Sequence, residues 1–161
     1  MILLLLLPTS ADAVPYAKQA KCFADNLHYE ARGESLAGIK AVANVVLNRV
    51  KSKRWPNTIC QVVYQRKQFS WANYARDRHP TGVAYTTQVM RVVALAMAGR
   101  LRDNTQTATH YHTLAVSPSW NKRLVKIKVI GFHVFYRYPF KRKGTEWKHT
   151  PKGMLMDIEI N

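Results

Sequence analysis

Nine acidic side chains serve a chain of 161 residues, few enough to ask of each what chemistry it can do. Asp12 lies in an apolar N-terminal segment, and Glu146, Asp157 and Glu159 lie in or after a basic C-terminal stretch. Asp103 follows the end of a helical pattern, where Asp commonly serves a turn, and Asp77 sits between Arg76 and Arg78 and is expected to pair with one of them. Asp25, Glu30 and Glu34 remain, on or beside the first helix. Asp25 falls on the polar side and reads as a solvated surface charge. Glu30 and Glu34 are four residues apart. On a continuous helix their Cβ atoms would be about 5–6 Å apart, close to the roughly 5–5.5 Å between the carboxyl groups of a retaining glycosidase. Those two groups must flank the bond from opposite sides of the sugar, however, and neighbours on one helix approach from the same side. Gly33 also ends the helix between them. The sequence therefore argues against a carboxylate pair and for one acid acting alone.

A lone acid suffices if burial raises its pKa, so that it stays protonated near neutrality and can donate. The partial negative charge of a helix C-terminus works in the same direction. Glu30 occupies the last turn of the first helix, next to its packed face, and is the candidate catalytic residue. The plainer alternative is a surface Glu paired with Arg32 or Arg49. Glu34 leads into the second helix, where an acid near the N-terminus is stabilising, and reads as structural.

Gln68, Phe69 and Trp71 combine an amide with aromatic faces, a set suited to polyhydroxylated rings, although Phe69 and Trp71 serve a core equally well. His110 and Tyr111 are candidate hydrogen-bonding partners of a substrate, and Trp120, after Pro118, is either groove wall or core. His110 and His112 point the same way on a strand and with His28 or His133 would make a zinc set. No H-E-x-x-H spacing supports one, so neither metal nor other cofactor is expected. Cys22 and Cys60 either pair or remain separate buried thiols.

The elements that must position these groups are legible from periodicity. Residues 16–32 carry Ala20, Phe23, Ala24, Leu27 and Ala31 at helical spacing, and residues 35–50 repeat the pattern. Residues 58–65 read as a short helix, 68–81 as an ordered loop and 82–99 as a third long helix. Beyond Arg102 the period falls to two, and 107–113 and 125–137 read as strands. The fold class is α+β: one mainly helical domain with a small β-sheet.

Lysine and arginine exceed acids by 25 to 9, a net charge of +16, so the natural partner is a polyanion: nucleic acid, anionic lipid or an acidic wall polymer. No apolar run approaches the length of a membrane span. The first 13 residues, an apolar run, Pro8 and Ala11-Asp12-Ala13, read as an export leader that is short and lacks a preceding cation. Residues 14–137 read as the domain that carries Glu30 and 138–161 as a basic extension, suited to anionic polymers or a membrane surface without sequence-specific nucleic-acid binding. A monomer is expected.

Glu30-Ala31-Arg32-Gly33-Glu34, Gly38, residues 41–50, Trp55-Pro56-Asn57-Thr58 and Gln68-Phe69-Ser70-Trp71 resemble the spore-cortex-lytic family of cell-wall hydrolases (SleB/CwlJ type). His110-Tyr111-His112, Val116, Pro118, Trp120 and residues 130–137 continue the resemblance in the family's order. It implies a lysozyme-like domain that cleaves peptidoglycan glycan strands, as a lytic transglycosylase or a muramidase, with Glu30 as the acid. It also implies action outside the cytoplasm, by a small exported bacterial enzyme or a phage lysis enzyme. The basic tail departs from the family pattern. Two rival readings remain: a zinc-dependent amidase or peptidase acting on the stem peptides, and a non-enzymatic cationic module that binds polyanions by charge.

Overall fold

The computed structural model describes residues 10–69, 71–72 and 85–140, with side chains from Pro15 onward. The first helix, α1 (Ser10–Ala31), begins earlier than its apolar stripe suggests, inside the segment read as a leader, and carries Pro15 in its N-terminal part. Phe23, Ala24, Leu27 and Ala31 of the stripe are buried. Helix α2 (Leu36–Lys51) follows after a short turn and starts at Ser35, whose Oγ accepts the N–H of Gly38 and so satisfies one of the helix's free donors. Helix α3 (Ile59–Val63) is capped in the same way by Thr58, and α4 (Thr87–Met97) by Thr86. The loop read over 68–81 lies largely outside the described residues, as does Asp77.

Helix α2 is the centre of the molecule. Ile39, Val42, Val45 and Val46 are fully buried, yet Asn44 and Arg49 on the same helix are buried too. Buried polar groups must be hydrogen-bonded, and these, with Asn48, grip the chain that leads into the sheet. Asn44 Nδ2 donates to Arg102 O (3.1 Å), Asn48 Nδ2 to Ala108 O (3.0 Å) and Arg49 Nε to Thr109 O (2.8 Å). Asp103 tightens the same segment by accepting the backbone N–H groups of Thr105 (2.7 Å) and Thr107 (2.8 Å). Its partial burial pushes the carboxyl up, but those hydrogen bonds outweigh it and hold Asp103 below the usual value. The turn role expected of Asp103 is the one it has. Gln106 and Thr107 take left-handed backbone conformations (φ 53° and 65°), which delays the strand expected from residue 107.

Three antiparallel strands, β1 (His110–Thr113), β2 (Val125–Ile130) and β3 (His133–Arg137), form a sheet in the order β1-β3-β2. The single strand read over 125–137 is thus a hairpin folded at Gly131-Phe132, and a 3₁₀ turn (Ser119–Arg123) precedes it. Tyr111 lies opposite Phe135 and Thr113 opposite His133, so Tyr111, His133 and Phe135 share one sheet face, while His110, His112 and Tyr136 share the other. The first face closes on the helices, and Phe135 is fully buried there.

Candidate functional site

Glu30 stands in the last turn of α1 and is half-buried. Tyr111 O–H reaches across from β1 and donates to Glu30 Oε2 at 2.8 Å. Burial raises the carboxyl pKa. The Tyr111 hydrogen bond, His133, the Trp71 indole and Arg49 each pull it back in part, without cancelling the rise. The Trp71 N–H is close enough to favour the ionised form slightly, but it falls short of a full hydrogen bond and is buried without another partner. Trp71 is held in place by stacking on Tyr29 (centroids 4.7 Å apart, 24° between planes) and by an edge contact with Tyr64 at 5.8 Å. Tyr111 itself is pushed well above the ordinary phenol range by burial and by the facing Glu30, so it remains a donor.

Arg49 backs this group. It is 5 % exposed, with its guanidinium 5.6 Å from the Phe69 ring and 5.9 Å from the Trp55 ring. Its burial lowers its pKa, opposed by the facing Tyr111 and Glu30, and an arginine remains charged under such a shift. The simple surface pairing of Glu30 with Arg32 or Arg49 is replaced by a sheltered carboxyl whose direct partner is a tyrosine from the sheet. Arg32 instead lies 3.3 Å from His28.

Glu34 has a different and larger structural role than helix-end stabilisation. Its side chain is 5 % exposed and its Oε1 accepts the Phe132 N–H at 3.0 Å, in the turn between β2 and β3. His133 Nδ1 lies 2.9 Å from the same oxygen, at ion-pair distance, though not aligned for a linear hydrogen bond. The carboxyl occupies a slot that only glycines permit. A Cβ on Gly131 would meet Glu34 Oε2 at 1.9 Å and one on Gly38 would meet it at 2.6 Å. Gly131 also has φ +58°, where side chains are disfavoured. Glu34 therefore bolts the hairpin to the start of α2. Because Tyr111 packs edge-on against His133 (5.0 Å), the same bolt steadies the tyrosine that holds Glu30.

The other sequence candidates separate. Trp71 and Tyr111 join Glu30. Phe69 is buried beneath Arg49, and Gln68 is half-buried beside the left-handed Lys67 (φ 64°). His110 and Trp120 lie together on the opposite sheet face from Tyr111, 5.5 Å apart, with Trp55 and Tyr138 as further neighbours of His110. His112 stacks on Tyr136 and meets its hydroxyl at 2.9 Å through Nε2. Among the described residues no three His, Cys, Asp or Glu side chains converge as a metal site.

Asp25 corrects its surface reading. It is fully buried, where it accepts the hydroxyls of Tyr64 and Tyr85 and pairs with Lys21 at 3.1 Å. Burial and the facing Asp25 push Tyr64 up to about 12. One turn and a half before Glu30, Asp25 thereby fixes the rotation of α1. The cysteines, left open by the sequence, are joined: Cys22–Cys60 ties α1 to α3. Sequence reasoning missed the depth of Arg49, yet a signal was present, because Arg49 continues the buried stripe of Val42, Val45 and Val46.

The fold is that of an enzyme catalytic domain. The chain matches the catalytic domain of the Bacillus cereus SleB protein with a TM-score of 0.63 and 29% identity, covering 75% of this chain and 91% of that one. It matches the catalytic domain of the germination-specific lytic transglycosylase SleB from Bacillus anthracis with a TM-score of 0.64 and 27% identity, covering 81% and 100%. The chain belongs to the cell wall hydrolase family, whose sequence profile matches residues 33–136, beginning just after Glu30. A spore cortex-lytic enzyme of Bacillus cereus is 33% identical over 116 residues, 70% of this chain. The chain spans 41% of that relative's length.

Proposed function

We propose that this domain cleaves peptidoglycan glycan strands between MurNAc and GlcNAc, with Glu30 as both acid and base. Protonated Glu30 donates to the glycosidic oxygen, the bond from that oxygen to the MurNAc anomeric carbon breaks, and the carbon becomes oxocarbenium-like. The MurNAc 6-hydroxyl oxygen then bonds to that carbon and gives its proton to the Glu30 carboxylate. The products are a 1,6-anhydro end and a free GlcNAc hydroxyl, and no water is consumed. Tyr111 orients the carboxyl, and the charge of Arg49 stabilises it while it is ionised. Trp71 offers an aromatic surface beside the acid; Gln68 and Phe69 support the wall behind it. His110 and Trp120 are assigned no contact with the bond that breaks.

One observation carries this reading: Glu30 is sheltered and shifted toward its protonated form, while the other described acids from residue 15 onward are engaged elsewhere. Asp25 serves two tyrosines and Lys21, Glu34 serves the hairpin, and Asp103 serves its turn. A pathway needing a single carboxyl suits that distribution, and the names of the SleB relatives support it. The disulfide supports an exported enzyme working in an oxidising compartment, and the positive charge supports attraction to an anionic wall. Mass spectrometry of digested peptidoglycan tests the proposal. Anhydro ends are expected. Reducing ends would replace transglycosylation by muramidase hydrolysis, and intact glycan with freed peptides would overturn the reading in favour of an amidase.

A further inference from the structure

A cavity of about 330 Å³ opens where the C-terminal end of α2 meets the residues after β3. None of the side chains that act on Glu30 lines it. Its apolar walls include Trp55, Tyr138 and Phe140, and its cations are Lys51, Arg54 and Arg137; no Asp or Glu lines it among the described residues. The rings hold the charges in place. The Arg54 guanidinium lies 4.2 Å over Tyr138 and that of Arg137 lies 3.6 Å over Phe140. Arg54 Nη2 is buried without a hydrogen-bond partner among the described residues, a donor that an incoming acceptor would satisfy. His110 edges onto two of the same rings, Trp55 and Tyr138. Burial, Arg49 and Arg54 together push it down to about 4.

The volume falls within the range of small-ligand sites, and the lining asks for two things at once: negative charge and an apolar body. A neutral sugar leaves three cations unanswered. A phosphodiester chain answers the charge but leaves the aromatic walls bare. A short acidic peptide with small aliphatic side chains answers both. We infer that this cavity is a second binding site, which takes a short acidic peptide by its carboxylate between Arg54 and Lys51, the peptide being the stem carried by the glycan strand. The identity of that peptide rests on the peptidoglycan reading above. The site would let the enzyme hold peptide-substituted strands in preference to bare glycan.

Calorimetric titration tests this on the full chain carrying Glu30→Gln, so that no turnover intervenes. The probes are a disaccharide–tetrapeptide, the same disaccharide without peptide, the free tetrapeptide, and a glycerol phosphate oligomer. Lys51→Gln, at an exposed position, and Arg54→Gln are each expected to weaken binding of the two peptide-bearing probes by about tenfold at constant salt, and to leave the bare disaccharide unchanged. Equal binding of the peptide probes by parent and Lys51→Gln would overturn the site. Tighter, Lys51-dependent binding of the phosphate oligomer would overturn the choice of peptide as occupant. The free peptide contains no glycosidic bond, so its binding reports on this site alone, while glycan products report on the cleavage reading.

Discussion

Removing the Glu34 carboxyl is the sharpest test of how the site is held together. In Glu34→Ala the Phe132 N–H and His133 Nδ1 lose the oxygen they share at 3.0 and 2.9 Å, in surroundings where the Glu34 side chain is only 5 % exposed. Removing one partner of a buried pair typically costs about 3–5 kcal/mol. For a domain of this size that is a fall in Tm of roughly 6–20 °C, at about 2–4 °C per kcal/mol. Thermal unfolding followed by circular dichroism measures it, and urea unfolding checks that the m-value is unchanged, so that stability alone has moved. Glu34→Gln, which retains an acceptor for the Phe132 N–H, should fall between parent and Ala variant. Gly131→Ala attacks the same bolt from the other side, by steric overlap with Oε2 and by strain at φ +58°, and should destabilise comparably. Combining Gly131→Ala with Glu34→Ala removes the overlap, so their costs should add to less than their sum. A Tm within about 2 °C of the parent for Glu34→Ala, less than 1 kcal/mol by the same conversion, refutes the bolt.

Four further outcomes are expected. Glu30→Gln should reduce glycan cleavage by about 10²-fold or more, the usual contribution of a positioned acid–base group, as measured by release of soluble fragments. The raised pKa of Glu30 also makes the folded state bind its proton more tightly than the unfolded chain does, so its stabilising share is complete at low pH and is lost as pH rises through the folded value. Glu30→Gln should therefore melt above the parent near neutrality and coincide with it well below the ordinary carboxylate range; a lower Tm at neutral pH contradicts the burial argument. In Tyr111→Phe the loss of the hydroxyl that favours ionised Glu30 should move the alkaline limb of the pH–rate profile upward, and a downward shift would show that Tyr111 does not act through that carboxyl. Reducing Cys22–Cys60, which closes a separation of 38 residues, should cost about 4 kcal/mol in the chain-entropy description, visible as an earlier urea midpoint in reductant and absent in a Cys22→Ala/Cys60→Ala control.

The helices were legible because their information is local. The apolar spacing of α2 placed its ends within a residue, and Ser35 and Thr58 cap as their types suggest. Glu30 could be singled out as a candidate because a helix end, an adjacent packed face and the shortage of acids are all readable from nearby residues, and the resemblance to the cell-wall hydrolases then favoured it over a surface charge. The reading failed where a partner lies far along the chain. Asp25 looks polar-facing until Tyr64 and Tyr85 close over it from 39 and 60 residues away. Glu34 looks like a helix-end charge until a hairpin 98 residues later supplies its N–H. The turn at Gly131-Phe132 joins two strands that are both rich in β-branched and aromatic residues, and so hid as a single strand. His110 and Tyr111 were both candidate partners of a substrate, yet a strand sends neighbours to opposite faces, and only the tyrosine reaches Glu30. That parity was available from the pattern itself.

Helix α1 carries a covalent tether at Cys22, a polar anchor at Asp25 and the proposed proton donor, Glu30, all on one rigid screw thread. Its phase is set upstream of the chemistry. Adding a single residue between Asp25 and Glu30 would turn the carboxyl by about 100° around the axis, at 3.6 residues per turn, swinging it away from Tyr111 while tether and anchor stayed put. Additions before Ser10 enter about 30 Å from the carboxyl, at 1.5 Å per residue, and upstream of both fixed points. Changes of length on that side of Cys22 should leave the aim of the Glu30 carboxyl untouched.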